Sequence, residues 1–252
     1  MIPRVIPCLL LNNSGLVKTI KFKNETYIGD PLNAVRIFNE KEVDELVFLD
    51  ITATVENRKI NKGFISKIAG ECFMPLSYGG GIKTIEEIRE IFGLGVEKVI
   101  INSHAVEHPE FVEKAANVFG SQSIVISIDV KKKMFGEYEV VTKRGKQKTK
   151  LDPVTFAIEM EKRGAGELML NSTDRDGTMN GYDIDLLTAV TRAVKIPVIA
   201  CGGAGRVEDL VNAVNNGGAS AVAAGSLFVF YGPLRAVLIN YPSREQLLQV
   251  FE

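Results

Sequence analysis

Residues 74–87 read MPLSYGGGIKTIEE, and 122 positions later residues 196–209 read IPVIACGGAGRVED. Laid over one another, Pro75 falls on Pro197, Gly80 on Gly202, Gly81 on Gly203 and Glu86 on Glu208. At the same offset DELVFL (44–49) lies over GELMLN (166–171), which matches Glu45 with Glu167. IINS (100–103) meets AAGS (223–226) after a slip of one residue. Each copy carries a strand-like apolar run, a glycine-rich turn and the start of an amphipathic helix. Two such halves in one chain point to duplication, and two equal halves of strand–helix units make a ring.

Working outward, apolar runs alternate with amphipathic segments along the whole chain. Strands are expected at 5–10, 45–50, 74–78, 98–102, 124–129, 167–171, 197–200 and 221–225. Helices are expected at 31–41, 84–95, 109–120, 153–166, 183–194 and 206–218, several beginning after Asp, Thr or Pro and several ending at Gly. Strands apolar on both faces and separated by helices belong to a parallel sheet. Eight of them in 252 residues fit an α/β fold of the (β/α)8 TIM barrel type, one domain over residues 1–252. A doubly wound open sheet would need a phosphate loop after its first strand, and NNSGLVK (12–18) is not one. KKKMFGEYEVVTKRGKQKTK (131–150) has no counterpart in the other half and reads as a small hairpin inserted after the fifth strand.

Composition narrows the function. A formal net charge of −1 exerts no global pull toward nucleic acid or an anionic membrane. Three widely spaced cysteines (Cys8, Cys72, Cys201) without a CxxC pair argue against a disulfide scaffold or a zinc site. The N-terminus has no signal-peptide pattern and no apolar run approaches a membrane span, so a cytoplasmic location is expected. His104 and His108, near the start of the fourth helix, suit capping or solvation better than catalysis, and neither metal nor cofactor is expected.

Glycine-rich turns follow the third strand (Gly79, Gly80, Gly81) and the seventh (Gly202, Gly203, Gly205). Small polar residues follow the fourth (Asn102, Ser103) and the eighth (Gly225, Ser226). Backbone N–H groups at such turns, just before helices at a barrel mouth, can cradle phosphate. The repeat places two such sets on opposite sides, as suits a ligand with a phosphate at each end.

FLDIT (48–52), GGGI (79–82), FGSQ (119–122), STDRDGT (172–178), GYD (181–183) and CGGAG (201–205) together resemble the cyclase subunit family of imidazole glycerol phosphate synthase. The resemblance runs over nearly the whole chain. It implies a barrel that receives ammonia from a separate glutaminase subunit docked on its N-terminal face. In the family, ammonia reacts at the C-terminal mouth with a bis-phosphorylated ribulosyl imidazole-carboxamide, giving imidazole glycerol phosphate and an aminoimidazole carboxamide ribotide. The resemblance further implies one phosphate at Gly81, Asn102 and Ser103, and the other at Asp176, Gly177, Gly203, Gly225 and Ser226, beside Gly202 and Asn171. Lys18 matches a lysine of a mobile substrate-covering loop, and Asp50 is expected to orient ligand or cap a turn. Arg4, Glu45, Lys98 and Glu167 match a salt-bridge gate at the ammonia entrance.

The family's cyclase chemistry uses one aspartate after strand 1 and one after strand 5. The second is Asp129, but the first position holds Leu10, which cannot carry a proton. RVIPCLL (4–10) laid over SIVISID (123–129) sets Leu10 against Asp129 independently. The departure favours a branch in which ammonia converts an acetamido sugar nucleotide to an acetamidino product for surface polysaccharide. The alternatives are the histidine-pathway cyclase and a non-catalytic scaffold that only passes ammonia on.

Overall fold

The computed structural model describes residues 2–251. The chain opens with β1 (Arg4–Asn12), which turns back into a hairpin of β2 (Gly15–Ile20) and β3 (Lys23–Gly29) before α1 (Pro31–Glu40). β4 (Leu46–Asp50), α2 (Lys62–Glu71), β5 (Leu76–Gly79), α3 (Ile85–Gly93) and β6 (Lys98–Ile101) follow. Next come α4 (Ser103–Glu107), α5 (Glu110–Phe119) and β7 (Ile124–Lys132), with a second hairpin made by β8 (Tyr138–Thr142) and β9 (Gln147–Lys148). The remaining order is α6 (Pro153–Lys162), β10 (Glu167–Ser172), α7 (Ile184–Thr191), β11 (Val198–Cys201), α8 (Val207–Asn215) and β12 (Ala221–Ala224). The single turn α9 (Ser226–Val229), a short ribbon of β13 (Phe230–Tyr231) and β14 (Ala236–Val237), and α10 (Arg244–Phe251) complete the described chain. No helix among the described residues is long and apolar enough to cross a membrane.

β1, β4, β5, β6, β7, β10, β11 and β12 pair in that order, every neighbour parallel, and β12 pairs back onto β1. The sheet is closed, a (β/α)8 barrel. Its two halves repeat down to single hydrogen bonds. Glu87 Oε2 accepts from the backbone N–H of Lys83 (2.8 Å) and Thr84 (3.1 Å) ahead of α3. Asp209 Oδ2 accepts in the same way from Gly205 (2.9 Å) and Arg206 (3.1 Å) ahead of α8. These acidic third residues satisfy N–H groups that a helix start leaves open.

A period of two along each strand sorts the side chains into two cores. On β1, Val5, Leu9 and Leu11 join the large cluster between sheet and helices, whereas Ile6 and Cys8 join a small cluster with Val47, Ile100, Val125, Met169 and Ile199 inside the barrel. The same alternation puts Arg4 and Leu10 on the inward face. Extended to the other strands, it gives Glu45–Val47–Leu49, Lys98–Ile100–Asn102, Val125–Ser127–Asp129 and Glu167–Met169–Asn171. The interior is therefore charged at the N-terminal end, apolar in the middle and polar at the mouth.

The segment that follows the first strand differs from the expectation. β1 runs on through Asn12 because β2 supplies its ladder partners, with Leu10 opposite Val17, Leu11 opposite Leu16 and Asn12 opposite Gly15. Lys18, expected on a mobile loop, is instead a buried residue of β2. The inserted hairpin after β7 is present as expected, with Asp129 opposite Val141 and Lys132 opposite Tyr138.

Candidate active site at the barrel mouth

One cavity opens at the C-terminal ends of the barrel strands. It is lined by Leu10, Lys18, Asp50, Gly81, Asn102, Ser103, Asp129 and Asn171, and by Asp176, Gly177, Gly202, Gly203, Gly225 and Ser226. These fourteen residues meet in a single space although they come from all eight strand ends and the hairpin of β2, while Gly79 and Gly205 of the glycine-rich turns are not among its lining.

Asp129 stands on the inward face of β7, held between two amides. Asn171 Nδ2 donates to its Oδ1 at 3.0 Å and Asn102 Nδ2 to its Oδ2 at 3.1 Å. Burial lifts its pKa to about 7 and the nearby Asp176 carboxylate adds to the rise, against the pull of the Asn171 and Asn102 donors. Such a carboxyl can take or give a proton near neutrality. Leu10 shares the cavity and is 8% exposed, so no second carboxyl stands at that strand end.

The amide of Asn102 is thereby committed to Asp129 and to Ser127 O (2.9 Å). Gly81 N, expected as a bare donor, gives its hydrogen to Thr54 Oγ1 at 3.3 Å. The hydroxyl stands at this position because α2 is preceded by a long turn through 51–60 that folds over the Gly80–Gly81 corner. Asp50 is fully occupied as well. It accepts from Thr52 N (3.1 Å), Ala53 N (3.0 Å) and Arg58 Nη2 (3.0 Å), which makes it a turn-capping ion pair.

On the opposite side, Gly203 has φ +128°, and a Cβ there would lie 2.2 Å from Gly181 O. Only glycine allows this approach of the two loops. Lys18 Nζ reaches Asp176 Oδ1 at 3.1 Å and Thr19 Oγ1 reaches Asp176 Oδ2 at 3.1 Å. Burial pushes the Lys18 ammonium toward neutrality, but the Asp176 carboxylate outweighs it and the pKa lies above the usual lysine value.

At the other end of the barrel four charges close a ring. Arg4 bonds to both Glu45 and Glu167. Lys98 Nζ lies 3.1 Å from Glu45 Oε2 and 3.2 Å from Glu167 Oε2. Ser77 Oγ adds a 2.7 Å hydrogen bond to Glu45 Oε1. The carboxylates are buried and the two cations partly exposed, so the ring faces outward from the barrel floor. Positive and negative charges alternate around it, which lets each buried carboxylate hold two partners.

Sequence reasoning overlooked Thr54, Phe22, Lys143 and Arg144, which also line the cavity. They arrive on excursions that have no place in the strand–helix period, and no spacing signal marks them.

A closed (β/α)8 barrel, with its polar groups gathered at the C-terminal mouth and an ion-pair ring across its floor, defines the class of protein. The chain belongs to the histidine biosynthesis protein family, whose description matches residues 4–234. It is 53% identical over 244 residues, covering 97% of both chains, to a Pseudomonas aeruginosa protein named "Putative imidazole glycerol phosphate synthase subunit hisF2". A Leptospira interrogans protein given the same description, with the subunit written HisF, is 50% identical over 96% of both chains. The "Imidazole glycerol phosphate synthase subunit HisF" of Alkaliphilus metalliredigens is 45% identical over 89% of both chains.

Proposed function

We propose that this chain is the ammonia-accepting synthase subunit of a glutamine amidotransferase, joining ammonia to a phosphorylated acceptor at the barrel mouth. The observation that carries the reading is the inward-facing ladder. An ion-pair ring at the floor, an apolar interior and a carboxyl with pKa about 7 at the mouth lie along one barrel. An apolar passage suits neutral ammonia and disfavours ammonium, since an unpaired ion there would be strongly penalised. At the mouth, the attacking nitrogen becomes cationic as its bond to carbon forms, and Asp129 is placed to take the proton.

The glutaminase subunit binds the N-terminal face, over Arg4, Glu45, Lys98 and Glu167, and the complex works in the cytoplasm. The acceptor is an acetamido sugar nucleotide: ammonia adds to the amide carbon and the amide oxygen leaves as water, and Asp129 can return to that oxygen the proton it took from nitrogen, so that one carboxyl serves both transfers. A second reading is favoured by the two glycine corners facing each other and by the relatives' names. In it, the chain is the cyclase subunit of imidazole glycerol phosphate synthase, working with Asp129 alone. The test is transfer of ¹⁵N from amide-labelled glutamine, with the co-encoded glutaminase present, to each of the two acceptors. Label in an acetamidino sugar nucleotide supports the first reading, and label in imidazole glycerol phosphate replaces it with the second. Label in neither acceptor, with glutamine consumed, overturns both in favour of a scaffold that only passes ammonia on.

A further inference from the structure

The two sides of the mouth are not electrically equivalent. Around Asp176 the single cavity-lining cation among the described residues, Lys18, is buried and matched by one carboxylate, and Lys21 N closes the loop onto Asp176 O at 2.8 Å. Arg235 approaches Ser226 Oγ at 3.4 Å but does not line the cavity. Around Ser103, by contrast, Lys83, Lys143 and Arg144 all line the cavity, with the His104 imidazole beside them.

Two of these cations come from the hairpin inserted after β7, and its turn is docked on the strand-end loops. Lys143 N donates to Ser103 Oγ at 3.2 Å. Lys143 (φ +52°) and Arg144 (φ +60°) both occupy the left-handed region. A hairpin turn of that kind is ordinarily filled by Asn, Asp or Gly, and long side chains there carry a conformational cost. Their structural return is small. Lys143 Nζ pairs with Glu107 (3.0 Å) and Arg144 with Glu25, all four side chains between a fifth and two-fifths exposed. Screened pairs of that exposure contribute little to stability. Lys83 Nζ donates to Asn57 Oδ1 and has no carboxylate partner among the described residues. Three cations against two exchangeable carboxylates leave this wall positive, while the Asp176 side is neutral.

We propose that this wall is a diphosphate subsite, in which Lys83, Lys143 and Arg144 hold two linked phosphoryl groups of the acceptor beside Ser103. The assignment rests on the reading of the mouth as the site of a phosphorylated acceptor, and it says that both phosphates lie on one side. Phosphate oxygens replace Glu107 and Glu25 as partners, and charge-assisted bonds to phosphate are stronger than the screened pairs they displace. The neutral Asp176 side then faces the uncharged part of the acceptor.

The test is calorimetric titration of the whole chain with inorganic pyrophosphate and with orthophosphate, without glutaminase or ammonia. Each charge-assisted contact is worth on the order of tenfold in affinity, so pyrophosphate should bind at least about tenfold more tightly than orthophosphate. Lys143→Ala/Arg144→Ala should lose most of that preference while keeping the wild-type melting temperature, since both residues sit at a hairpin tip. If that double variant melts early, Lys83→Ala provides the same reading from a different loop. Equal affinities in the wild type, or a preference that survives the substitutions, overturns the subsite. Because no reaction is involved, the two failures separate. A pyrophosphate preference without ammonia transfer upholds the subsite and removes the synthase reading, and the reverse pattern removes the subsite alone.

Discussion

Asp129 carries the consequences of burial in a form that two measurements can read. Its pKa rises from an ordinary aspartate value to about 7 in the folded chain. Between those values the folded state binds a proton that the unfolded state has released, so this residue's contribution to stability falls as pH rises from about 4 to about 7. Asn in its place removes the penalty. Asp129→Asn should therefore be more stable than the wild type by about 2–4 kcal/mol at pH 8 and by little at pH 4, while ammonia transfer is lost. Urea unfolding at the two pH values checks it, and a stability difference independent of pH would contradict the buried-carboxyl account. Leu10 supplies the complementary test. With one of two cooperating acid–base groups absent, turnover of the bis-phosphorylated ribulosyl carboxamide should lie about 10² to 10⁴ below that of a two-carboxylate site. Leu10→Asp should raise that turnover only if the rest of the mouth has kept the geometry for this acceptor. Steady-state kinetics at saturating ammonium decides it, and full turnover by the wild type would favour the second reading.

At the scale of elements, the hairpin of β2 and β3 does most to shape the cavity. It crosses the mouth and settles on the turn after β10. Gly177 has φ +72°, and a Cβ there would lie 2.0 Å from Thr19 O. Gly177→Ala must push the hairpin away from Asp176 and break the Lys18 and Thr19 contacts, at a cost on the order of 1–3 kcal/mol. The expected result is faster proteolytic cutting within residues 12–29, with the barrel still folded by circular dichroism. Unchanged cutting would show that the hairpin is not held there. This element also marks the limit of sequence reading. The eight barrel strands were legible because each is a short apolar run, most of them followed by an amphipathic helix, and the repeat aligned several of them in pairs. The hairpin was not, since NNSG (12–15) is a turn between two β-rich runs that stands outside the strand–helix period. GLVKTI (15–20) does carry β-branched residues, the one available signal. Lys18 lies on this hairpin, so its match to a loop lysine does not reveal its place in a strand. Leu10 and Asp129 were legible through the overlay of the two halves, and Arg4, Glu45, Lys98 and Glu167 through the family resemblance together with their place at strand starts. The pairing of Asn102 with Asp129, and of Asp50 with Arg58, was not, since side-chain partners from different loops leave no trace in spacing.

Across the whole molecule, the two ends of the barrel hold charge in different ways, and that difference bears on how they could be coupled. At the mouth the titrating group has no cation bonded to it, and its protonation is free to respond. At the floor four groups satisfy one another, and the ring is closed by their mutual contacts. Opening it requires a cation to leave. Lys98 is the better candidate, since it is held by single contacts at 3.1 and 3.2 Å to two carboxylates that Arg4 also bonds. Lys98→Ala leaves two buried carboxylates sharing Arg4, at a cost of about 1–3 kcal/mol once the partial exposure of Lys98 is allowed for. If the glutaminase docks here, the variant should still hydrolyse glutamine in the complex but release more ammonia to solvent, so that several glutamines are consumed per product. Lys98→Arg, which keeps the charge and can still span both carboxylates, should restore most of the coupling. The ratio of glutamate to aminated product, measured with the wild-type ratio as reference, decides the matter. An unchanged ratio in Lys98→Ala, with a stable complex, would leave the ring a structural closure of the barrel floor and move the entry of ammonia elsewhere.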